Sequence, residues 1–455
     1  MRARGLALGG LALITLSAVG VVIADPSSAD EPVLAKSVGT QLPVQDLRAM
    51  ELDEARGRLY LAQGAGSELP LVVTDLDGVL QTKVAAVTGA SDVILSADRQ
   101  QLLVTHDYDR VTALDADTLV PSATYDAPPG ACVYAAEPTG GKVVAAFLDC
   151  GTGKSGLLIW SAPGTTPIVY TDGPDYHPII SGAANGLLVA GDTGISPVTT
   201  YVIDVSGATP AIVGRREKTG ENLIDYTVSP DGTEVIETTG YPYEHHSYKL
   251  PDLADSTTYP SGVYPADAAW SADGSTVAVA RSSTGSNDAD VLFYAKGSTT
   301  PTYAVDFRRS DEIWKGTLLL NSAGTRAWAI TYDDTYQNVQ LLHSFGPSHT
   351  PKAPVTDINV TARTGSGKEK STAYVTVTWT SPMSRPGSST NQQFLQLFAT
   401  PAGSTPRSIG NPELTSAGTF TATYALPRGT TTFTAQYKDF ENWYPAATVT
   451  TTLSR

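Results

Sequence analysis

Three aspartates occupy the same place in three copies of a repeated segment. Asp92, Asp225 and Asp267 each lie seven residues before the turn of their copy. If each begins an innermost strand, their carboxylates meet at the mouth of one channel. Carboxylates bind hard cations such as Ca²⁺, and a bound cation can activate water. A structural role, as hydrogen-bond acceptors between neighbouring repeats, accounts for isolated aspartates equally well, and the sequence leaves both hypotheses open.

A second candidate set lies in the loops that join the second and third strands of the repeats. Carboxylates exceed basic residues there, and tyrosines are interleaved with them. The candidates are Asp107, Tyr108, Asp109, Tyr243, Glu244, Asp333 and Asp334. Such a rim would bind Ca²⁺, sugars or a basic partner through stacking and hydrogen bonds. The alternative is that exposed loops of an acidic protein are simply acidic, since none has the spacing of a dedicated calcium loop.

Other kinds of chemistry find little support. His245 and His246 form the only close histidine pair, which we place in an exposed loop, and a metal site there would need a third ligand from another repeat. The run Gly151–Ser155 lacks the spaced first glycine of a phosphate loop. The chain has no nucleophile elbow, zincin helix or dinucleotide fingerprint. We therefore assign no catalytic residue, and Ca²⁺ is the one cofactor left open.

The repeat itself predicts the fold. Its clearest copies, Asp225–Thr238 and Asp267–Ala280, read as strand, tight Asp-Gly turn, strand. Turns of the seven copies fall near residues 56, 99, 140, 185, 232, 274 and 324. That spacing, about 40 to 50 residues, is typical of a four-stranded propeller blade. We predict a seven-bladed β-propeller over residues 33–347, with Val33–Val38 closing the ring as the outer strand of the seventh blade.

A second domain follows a short proline-containing linker, residues 348–354. Residues 355–455 alternate apolar and polar side chains in short runs, which predicts a β-sandwich. The whole chain is therefore expected to be all-β.

The N-terminus predicts export. Arg2 and Arg4 precede the apolar run Leu6–Ala24, so residues 1–29 read as a signal peptide cleaved after Ala24 or Ala29. No later stretch is long and apolar enough to span a bilayer, so we expect a secreted protein with no transmembrane segment after signal removal. A net charge of −16 argues against a nucleic-acid partner.

The two cysteines are consistent with the predicted export. Cys132 and Cys150 bracket a predicted hairpin, and an oxidising environment permits a disulfide between them.

The signatures Val228-Ser-Pro-Asp-Gly232 and Trp270-Ser-Ala-Asp-Gly274 resemble the repeat of TolB-like and related bacterial propellers, a class that includes lactonase-like members. The segment Tyr374–Pro382, with Trp379 as core tryptophan and Phe433 near the usual corner tyrosine, resembles fibronectin type III and bacterial Ig-like domains. These resemblances imply a bacterial secreted propeller followed by a spacer or adhesive module.

Three functions remain open. The leading hypothesis is a non-catalytic binding or scaffold protein whose propeller loops engage an extracellular protein, a glycan or a cell-envelope component. The first alternative is a lactonase-type hydrolase with a cation at the channel mouth. The second is a structural surface or adhesion protein, which would self-associate.

Overall fold

The structure is a computed structural model that describes residues 32, 34–106, 108–282, 288–307, 311–333, 336–349, 356–380, 395–412, 417–437 and 446–455. Strands dominate these residues, and the single helical element is a 3-10 turn, Gly367–Glu369. No helix in the described segments is long and apolar enough to cross a membrane.

The first part of the chain begins with two short strands, β1 (Leu34–Ser37) and β2 (Thr40–Gln41). Seven sheets follow within the described part of residues 47–345. Sheet one contains β3 (Leu47–Asp53), β4 (Arg58–Gln63), β5 (Pro70–Asp75) and β6 (Leu80–Thr88). Sheet two contains β7 (Ala90–Leu95), β8 (Gln101–His106), β9 (Arg110–Asp115) and β10 (Pro121–Asp126). Sheet three contains β11 (Ala131–Thr139), β12 (Lys142–Asp149), β13 (Ser155–Trp160) and β14 (Ile168–Tyr170).

The remaining four sheets repeat this antiparallel order. Sheet four contains β15 (Pro178–Gly182), β16 (Leu187–Asp192), β17 (Thr199–Asp204) and β18 (Ala211–Glu217). Sheet five contains β19 (Glu221–Val228), β20 (Glu234–Tyr241), β21 (His245–Lys249) and β22 (Ala254–Tyr259). Sheet six contains β23 (Pro265–Trp270), β24 (Thr276–Arg281), β25 (Val291–Ala295) and β26 (Pro301–Phe307). Sheet seven contains β27 (Asp311–Ile313), β28 (Leu319–Leu320), β29 (Ala327–Asp333) and β30 (Tyr336–Phe345), with β27 and β28 both paired to β29.

The repeated turn explains why each sheet folds locally. In sheet five, the Ser229 hydroxyl donates to Asp231 at 2.6 Å and accepts the backbone N–H of Glu234 at 2.9 Å. Gly232 follows at φ 66°, a left-handed conformation that glycine adopts without steric cost. Ser271 and Asp273 repeat the hydroxyl-to-carboxylate bond at 2.6 Å in sheet six. The Ser-x-Asp signature is therefore a turn-forming device.

Each sheet packs its apolar side chains against the next sheet. One cluster joins sheets one and two, and comparable clusters join every successive pair through sheets six and seven. A further cluster joins sheet seven to sheet one, with Trp328 and Ile330 packed against Leu59 and Leu61. The Trp328 indole also donates to the Leu76 carbonyl at 2.9 Å. The seven sheets therefore form a closed ring.

The N-terminal segment closes the ring differently from the sequence prediction. β1 pairs in parallel with β26, so most of the Val33–Val38 segment adds a fifth strand to sheet six instead of sheet seven. After Val38 and Gly39, strand β2 pairs with β30 of sheet seven. Ser37 and His343 lie between these two contacts and are 3.1 Å apart, Oγ to Nδ1. The prediction placed all pairing on one edge because it did not anticipate that the chain would cross from the outer strand of sheet six to that of sheet seven at Val38 and Gly39.

The C-terminal part forms two sheets. One contains β31 (Asp357–Thr364), β32 (Thr372–Thr380) and β35 (Ala417–Ala425). The other contains β33 (Leu395–Pro401), β34 (Arg407–Gly410), β36 (Thr430–Tyr437) and β37 (Ala447–Ser454). Buried side chains from both sheets, among them Trp379 and Phe433, form one hydrophobic core.

Candidate functional site

A cavity of about 860 Å³ lies where the innermost strands converge, and residues from all seven sheets line it. Asp92, Asp225 and Asp267, the three aspartates singled out in the sequence, are among these lining residues. They occupy equivalent registers, because each follows a bulge in its strand and pairs with the second strand at Thr105, Thr238 and Ala280, respectively. The repeat spacing therefore brings them to one cavity.

Two of the three aspartates link neighbouring sheets. Asp267 is 1 % exposed, and its Oδ2 accepts the backbone N–H groups of Thr317 and Leu318 in sheet seven, both at 2.8 Å. Asp92 accepts the backbone N–H of Ala136 in sheet three, also at 2.8 Å. These carboxylates already serve as acceptors between sheets, which is the structural role that the sequence left open.

Asp225 has a different environment. The backbone N–H of its neighbour Tyr226 stabilises its charged form, whereas burial and the nearby charge of Asp267 raise the pKa of Asp225 well above its usual range. Burial also raises the pKa of Asp267 to about 7, against the opposing effect of its backbone hydrogen bonds. Repulsion between two close carboxylates favours a proton on one of them.

Two glutamates that the sequence analysis missed belong to the same cavity. Glu51 and Glu137 stand two residues beyond Ala49 and Ala135, which take the register of the aspartates in sheets one and three. Burial raises the pKa of Glu51 to about 7, while Arg99 and a hydrogen bond from the Leu95 backbone oppose that rise.

Glu137 follows the same pattern in sheet three. Burial, followed by the charges of Asp92, Asp225 and Glu51, raises its pKa well above the usual range, whereas the Gly182 backbone acts in the other direction. Glu51 and Glu137 therefore each contact the backbone of the following sheet, as Asp92 and Asp267 do. A signal for them existed, namely a glutamate two positions after alanine in the repeats that lack the aspartate.

The cavity does not assemble a recognisable metal centre. Among the described residues, no group of three or more histidine, cysteine, aspartate or glutamate side chains is arranged to hold a metal ion. The carboxylates are instead distributed around the ring, with most of their hydrogen bonds directed at backbone. The cavity is therefore lined by buried carboxyl groups, and several of them tie neighbouring sheets together.

A second candidate site is the face formed by two kinds of loop. One kind joins the second and third strands of each sheet, and the other joins one sheet to the next; together we call them the loop face. Hydrogen bonds connect successive loops around the ring: Tyr108 donates to the Ala65 carbonyl at 3.3 Å, and the Ser282 N–H donates to the Tyr264 carbonyl at 2.9 Å. The opposite face carries the remaining hairpin turns, and we call it the turn face.

The structure brings four of the sequence-predicted loop residues to the loop face. Tyr108 is 45 % exposed and Tyr243 is 46 % exposed. Asp109 pairs with Arg110 at 2.6 Å, and Glu244 lies 3.2 Å from His246. Asp333 ends strand β29. Asp107, Asp334 and the side chain of Asp333 lie outside the described residues.

Exposed tyrosines form a cluster that the sequence identified only in part. Tyr243 contacts Tyr241 and Tyr264, with ring centroids 5.9 and 5.8 Å apart and interplanar angles of 83° and 65°. Tyr241 and Tyr264 are 56 % and 51 % exposed. We call these three residues the tyrosine cluster. Tyr264 was missed because the candidate residues were taken from the loops within sheets, whereas Tyr264 lies in the loop between sheets five and six.

Another aromatic group lies on the same face near the cavity. Tyr176, 49 % exposed, packs edge-on against His177, and His177 lies 5.9 Å from the ring of Tyr134, a lining residue of the cavity. Three aromatic residues of the loop face, Tyr108, His177 and Tyr264, have positive φ angles of 61°, 46° and 61°. Bulky residues rarely adopt this conformation, and such backbone strain concentrates at functional sites.

The histidine pair differs from its prediction. His245 begins strand β21, not a loop, and is fully buried, with Nδ1 2.9 Å from the Ser261 hydroxyl. Burial lowers its pKa to about 3, so it stays neutral at physiological pH. His246 points elsewhere, toward Glu244. The two rings cannot share one metal ion in this arrangement, because alternation along a strand sends successive side chains to opposite faces.

The disulfide predicted from the sequence is present. Cys132 of β11 and Cys150, in the loop after β12, are bonded with their Cα atoms 5.8 Å apart. The Cys150 N–H also donates to the Gly130 carbonyl at 2.9 Å. This crosslink fixes the loop face of sheet three.

Comparisons with known proteins show the fold. No family model matches the chain, and no curated protein matches it. Its structure is similar to the β-propeller domain of Cps50 (Swd1) from Myceliophteria thermophila, at 13 % identity and a TM-score of 0.50, covering 67 % of this chain and 98 % of that domain. It is also similar to Hsv2 from Kluyveromyces lactis, at 11 % identity and a TM-score of 0.44, covering 66 % and 98 %.

The class of protein follows from these observations. The chain is an all-β protein that contains a β-propeller, and the predicted propeller fold is confirmed. Propellers host many unrelated functions, so the function must be argued from the loop face and the cavity.

Proposed function

We propose that this chain is a secreted, non-catalytic binding protein whose loop face engages an extracellular protein, a glycan or a cell-envelope component. The observation that carries this proposal is the set of half-exposed tyrosines on that face. They are Tyr108, Tyr176, Tyr241, Tyr243 and Tyr264. Tyrosine supplies a large amphipathic contact area at low conformational cost, and it is enriched in protein interfaces.

The architecture supports a scaffold role. We read the seven sheets as seven propeller blades and the two C-terminal sheets, with their common core, as an Ig-like sandwich that acts as a spacer or second contact. The resemblance of the turn signatures to TolB-like repeats makes a bacterial origin part of this proposal. Export rests on the N-terminal leader pattern, and the Cys132–Cys150 disulfide agrees with an oxidising compartment.

The loop face also has the charge that the proposal needs. The described loops expose the carboxylates Asp46, Glu68, Asp109, Asp172, Asp175, Glu244 and Asp288, against the lysines Lys154 and Lys218. Flanking arginines are paired to aspartates beside them, Arg48 to Asp46 at 3.0 Å and Arg281 to Asp288 at 3.5 Å. A negative rim steers basic partners and disfavours acidic ones.

No observation of similar weight supports the hydrolase alternative. It requires a cation held by Asp92, Asp225 and Asp267, and two of these carboxylates are committed to backbone N–H groups of the next sheet. The surface-protein alternative predicts self-association, which separates it experimentally from a binding protein.

The test compares two multiple variants of the full chain. One replaces Tyr108, Tyr176, Tyr243 and Tyr264 with serine on the loop face, and its matched control replaces Val79 and Val120, which are 62 % and 59 % exposed on the turn face. Immobilised wild type and control should retain the same components of the culture fluid and cell envelope, and the tyrosine variant should lose them. Equal retention by all three proteins would contradict the proposal.

Two further measurements separate the alternatives. Hydrolysis of lactone, ester or glycan substrates by the purified chain, abolished in an Asp225→Ala variant, would replace the binding proposal with the hydrolase. Light scattering that rises steeply with concentration would support the structural surface protein instead.

A further inference from the structure

The tyrosine cluster is an organised surface, held in place by its surroundings. Tyr264 is anchored by its carbonyl, which accepts the Ser282 N–H at 2.9 Å, and it follows Gly262 at φ 82°. Arg281 packs beneath this loop, where a Cβ on Gly262 would lie 2.7 Å from its Nη1. The exposed ring of Tyr264 is therefore positioned by buried contacts and a left-handed backbone at φ 61°.

The geometry of the three rings favours one kind of ligand group. Interplanar angles of 83° and 65° leave no flat, continuous platform on which a sugar ring could stack. A cation needs no such platform, because it can bind to a single aromatic ring whose centroid lies within about 6 Å of it. Steeply inclined neighbouring rings can enclose a cation from more than one side.

Cation–π contacts of this kind occur elsewhere in the propeller. Arg216 lies 4.7 Å from the ring centroid of Tyr248, and Arg326 lies 4.5 Å from that of Trp328. Within the described residues, no arginine or lysine of the chain covers a ring of the tyrosine cluster in this way. The nearby Arg281 is directed to the Ala289 carbonyl at 2.6 Å and to Asp288, and its side chain is 14 % exposed.

Charge complements the aromatic surface. Glu244 adjoins Tyr243 in sequence, and its carboxylate lies 3.2 Å from His246 with 38 % of its side chain exposed. Asp288 lies in the neighbouring loop with 66 % of its side chain exposed, so it remains accessible beside Arg281. Arg281 is thus paired with Asp288, and exposed carboxylates lie on the loop of Tyr243 and on the loop that is hydrogen-bonded to Tyr264.

We propose that the tyrosine cluster, with Glu244 and Asp288, binds arginine or lysine side chains of a cationic polypeptide segment. This inference rests on the proposed function and specifies the partner of its loop face. The rings provide cation–π contacts, and the two carboxylates provide charge-assisted hydrogen bonds. A guanidinium is preferred over an ammonium, because its planar fork stacks on rings and pairs with carboxylates simultaneously.

Calorimetry of the purified full chain with three synthetic peptides tests the proposal. One is a twelve-residue glycine-serine peptide with four arginines, the second replaces each arginine with citrulline, and the third replaces each with lysine. Citrulline keeps the shape of arginine and removes its charge. We expect the arginine peptide to bind most tightly, the lysine peptide less tightly, and the citrulline peptide at least tenfold more weakly than the arginine peptide.

Single variants locate the binding. Tyr243→Ala and Tyr264→Ala should each weaken arginine-peptide binding by about 3- to 30-fold, which is the range of one cation–π contact, whereas Tyr243→Phe should bind as the wild type does. Val79→Ala is the control, because Val79 is 62 % exposed on the turn face and lies outside the proposed binding surface. Unchanged thermal midpoints establish that each variant is folded.

Three outcomes overturn the inference. They are equal binding of arginine and citrulline peptides, unchanged binding in both alanine variants, and an effect of Tyr243→Ala on self-association or glycan binding alone. Retention of extracellular partners that depends on the other loop-face tyrosines would then leave the proposed function standing without this partner class. Equal retention of those partners by the wild type, the loop-face variant and the turn-face control would remove both.

Discussion

Asp267 accepts a 2.8 Å hydrogen bond from the backbone N–H of Leu318, a residue of the neighbouring sheet. The same carboxylate oxygen accepts the N–H of Thr317 at 2.8 Å, so one side chain satisfies two buried donors across a sheet boundary. An aspartate that the repeat marks as a candidate ligand is therefore a connector of the ring.

Removing this connector should destabilise the propeller. Asp267→Ala leaves two buried N–H groups without their acceptor, at a cost of roughly 2–4 kcal/mol in the free energy of unfolding. Asp225→Ala is the matched control, because it removes a carboxylate at the same register and relieves its repulsion with Asp267. Urea unfolding monitored by tryptophan fluorescence measures both. An Asp267→Ala variant no less stable than Asp225→Ala would refute the connector role.

The cavity carboxylates should make stability depend on pH. Burial raises the pKa of Glu51 to about 7, so between roughly pH 4.5 and 7 the folded chain retains a proton that the unfolded chain releases. This contribution to stability is present at acidic pH and is lost as the pH rises through 7.

Glutamine cannot ionise, so the difference in stability between the Glu51→Gln variant and the wild type isolates the ionisation of Glu51. Relative to wild type, the variant should gain about 2–3 kcal/mol of stability between pH 5 and pH 8. Glu68→Gln, at an exposed loop position, serves as the control and should track the wild type. A constant difference between Glu51→Gln and wild type across this range would show that Glu51 titrates normally.

The disulfide should contribute to stability by restricting the unfolded chain. Cys132 and Cys150 are 18 residues apart, and closing a loop of this length is worth about 3 kcal/mol in the chain-entropy account. Dithiothreitol should lower the urea midpoint of the wild type to that of a Cys132→Ser, Cys150→Ser double variant, whose own midpoint should not respond. A midpoint insensitive to both changes would show that the paired strands β11 and β12 alone hold this hairpin.

The N-terminal segment should be required for a stable ring. A chain beginning at Leu42 lacks β1 and β2, so the outer edges of β26 and β30 become open to pairing with other molecules. We expect its thermal midpoint to fall by roughly 5 °C or more and its aggregation to increase. A chain beginning at Asp30 keeps both strands and should match the wild type. Equal midpoints for the two truncations would exclude a closing role for this segment.

Much of the propeller could be predicted from the sequence because the residues that specify each sheet lie close together along the chain. The Asp-Gly turns at Gly232 and Gly274 and the alternating strands around them repeat at a regular interval, which identifies the architecture without long-range contacts. The crossing of β1 and β2 from sheet six to sheet seven depends on pairing between residues some 270–300 positions apart. No local pattern specifies that choice of edge.

The candidate sites likewise contain some residues that the local sequence identifies and others that only the folded arrangement brings together. Tyr108 and Tyr243 were identifiable because they lie in loops within a sheet, whereas Tyr264 joins them only through the arrangement of neighbouring sheets. Glu51 and Glu137 were missed because they stand two residues beyond the aspartate position of the repeat, and only the strand pairing shows that this position also lines the cavity. Burial and neighbouring charges, which shift the pKa values of these carboxyl groups, are likewise properties of the assembled ring.

Site-specific photo-crosslinking tests the central proposal most directly. A photoreactive phenylalanine analogue replaces Tyr108, Tyr176 or Tyr243 on the loop face, or Val79 or Val120 on the turn face, and the chain is irradiated in the presence of culture fluid and cell-envelope material. The account predicts discrete covalent adducts from the loop-face positions and none from the turn-face positions. Adducts of equal yield from both faces, or from the turn face alone, would contradict it.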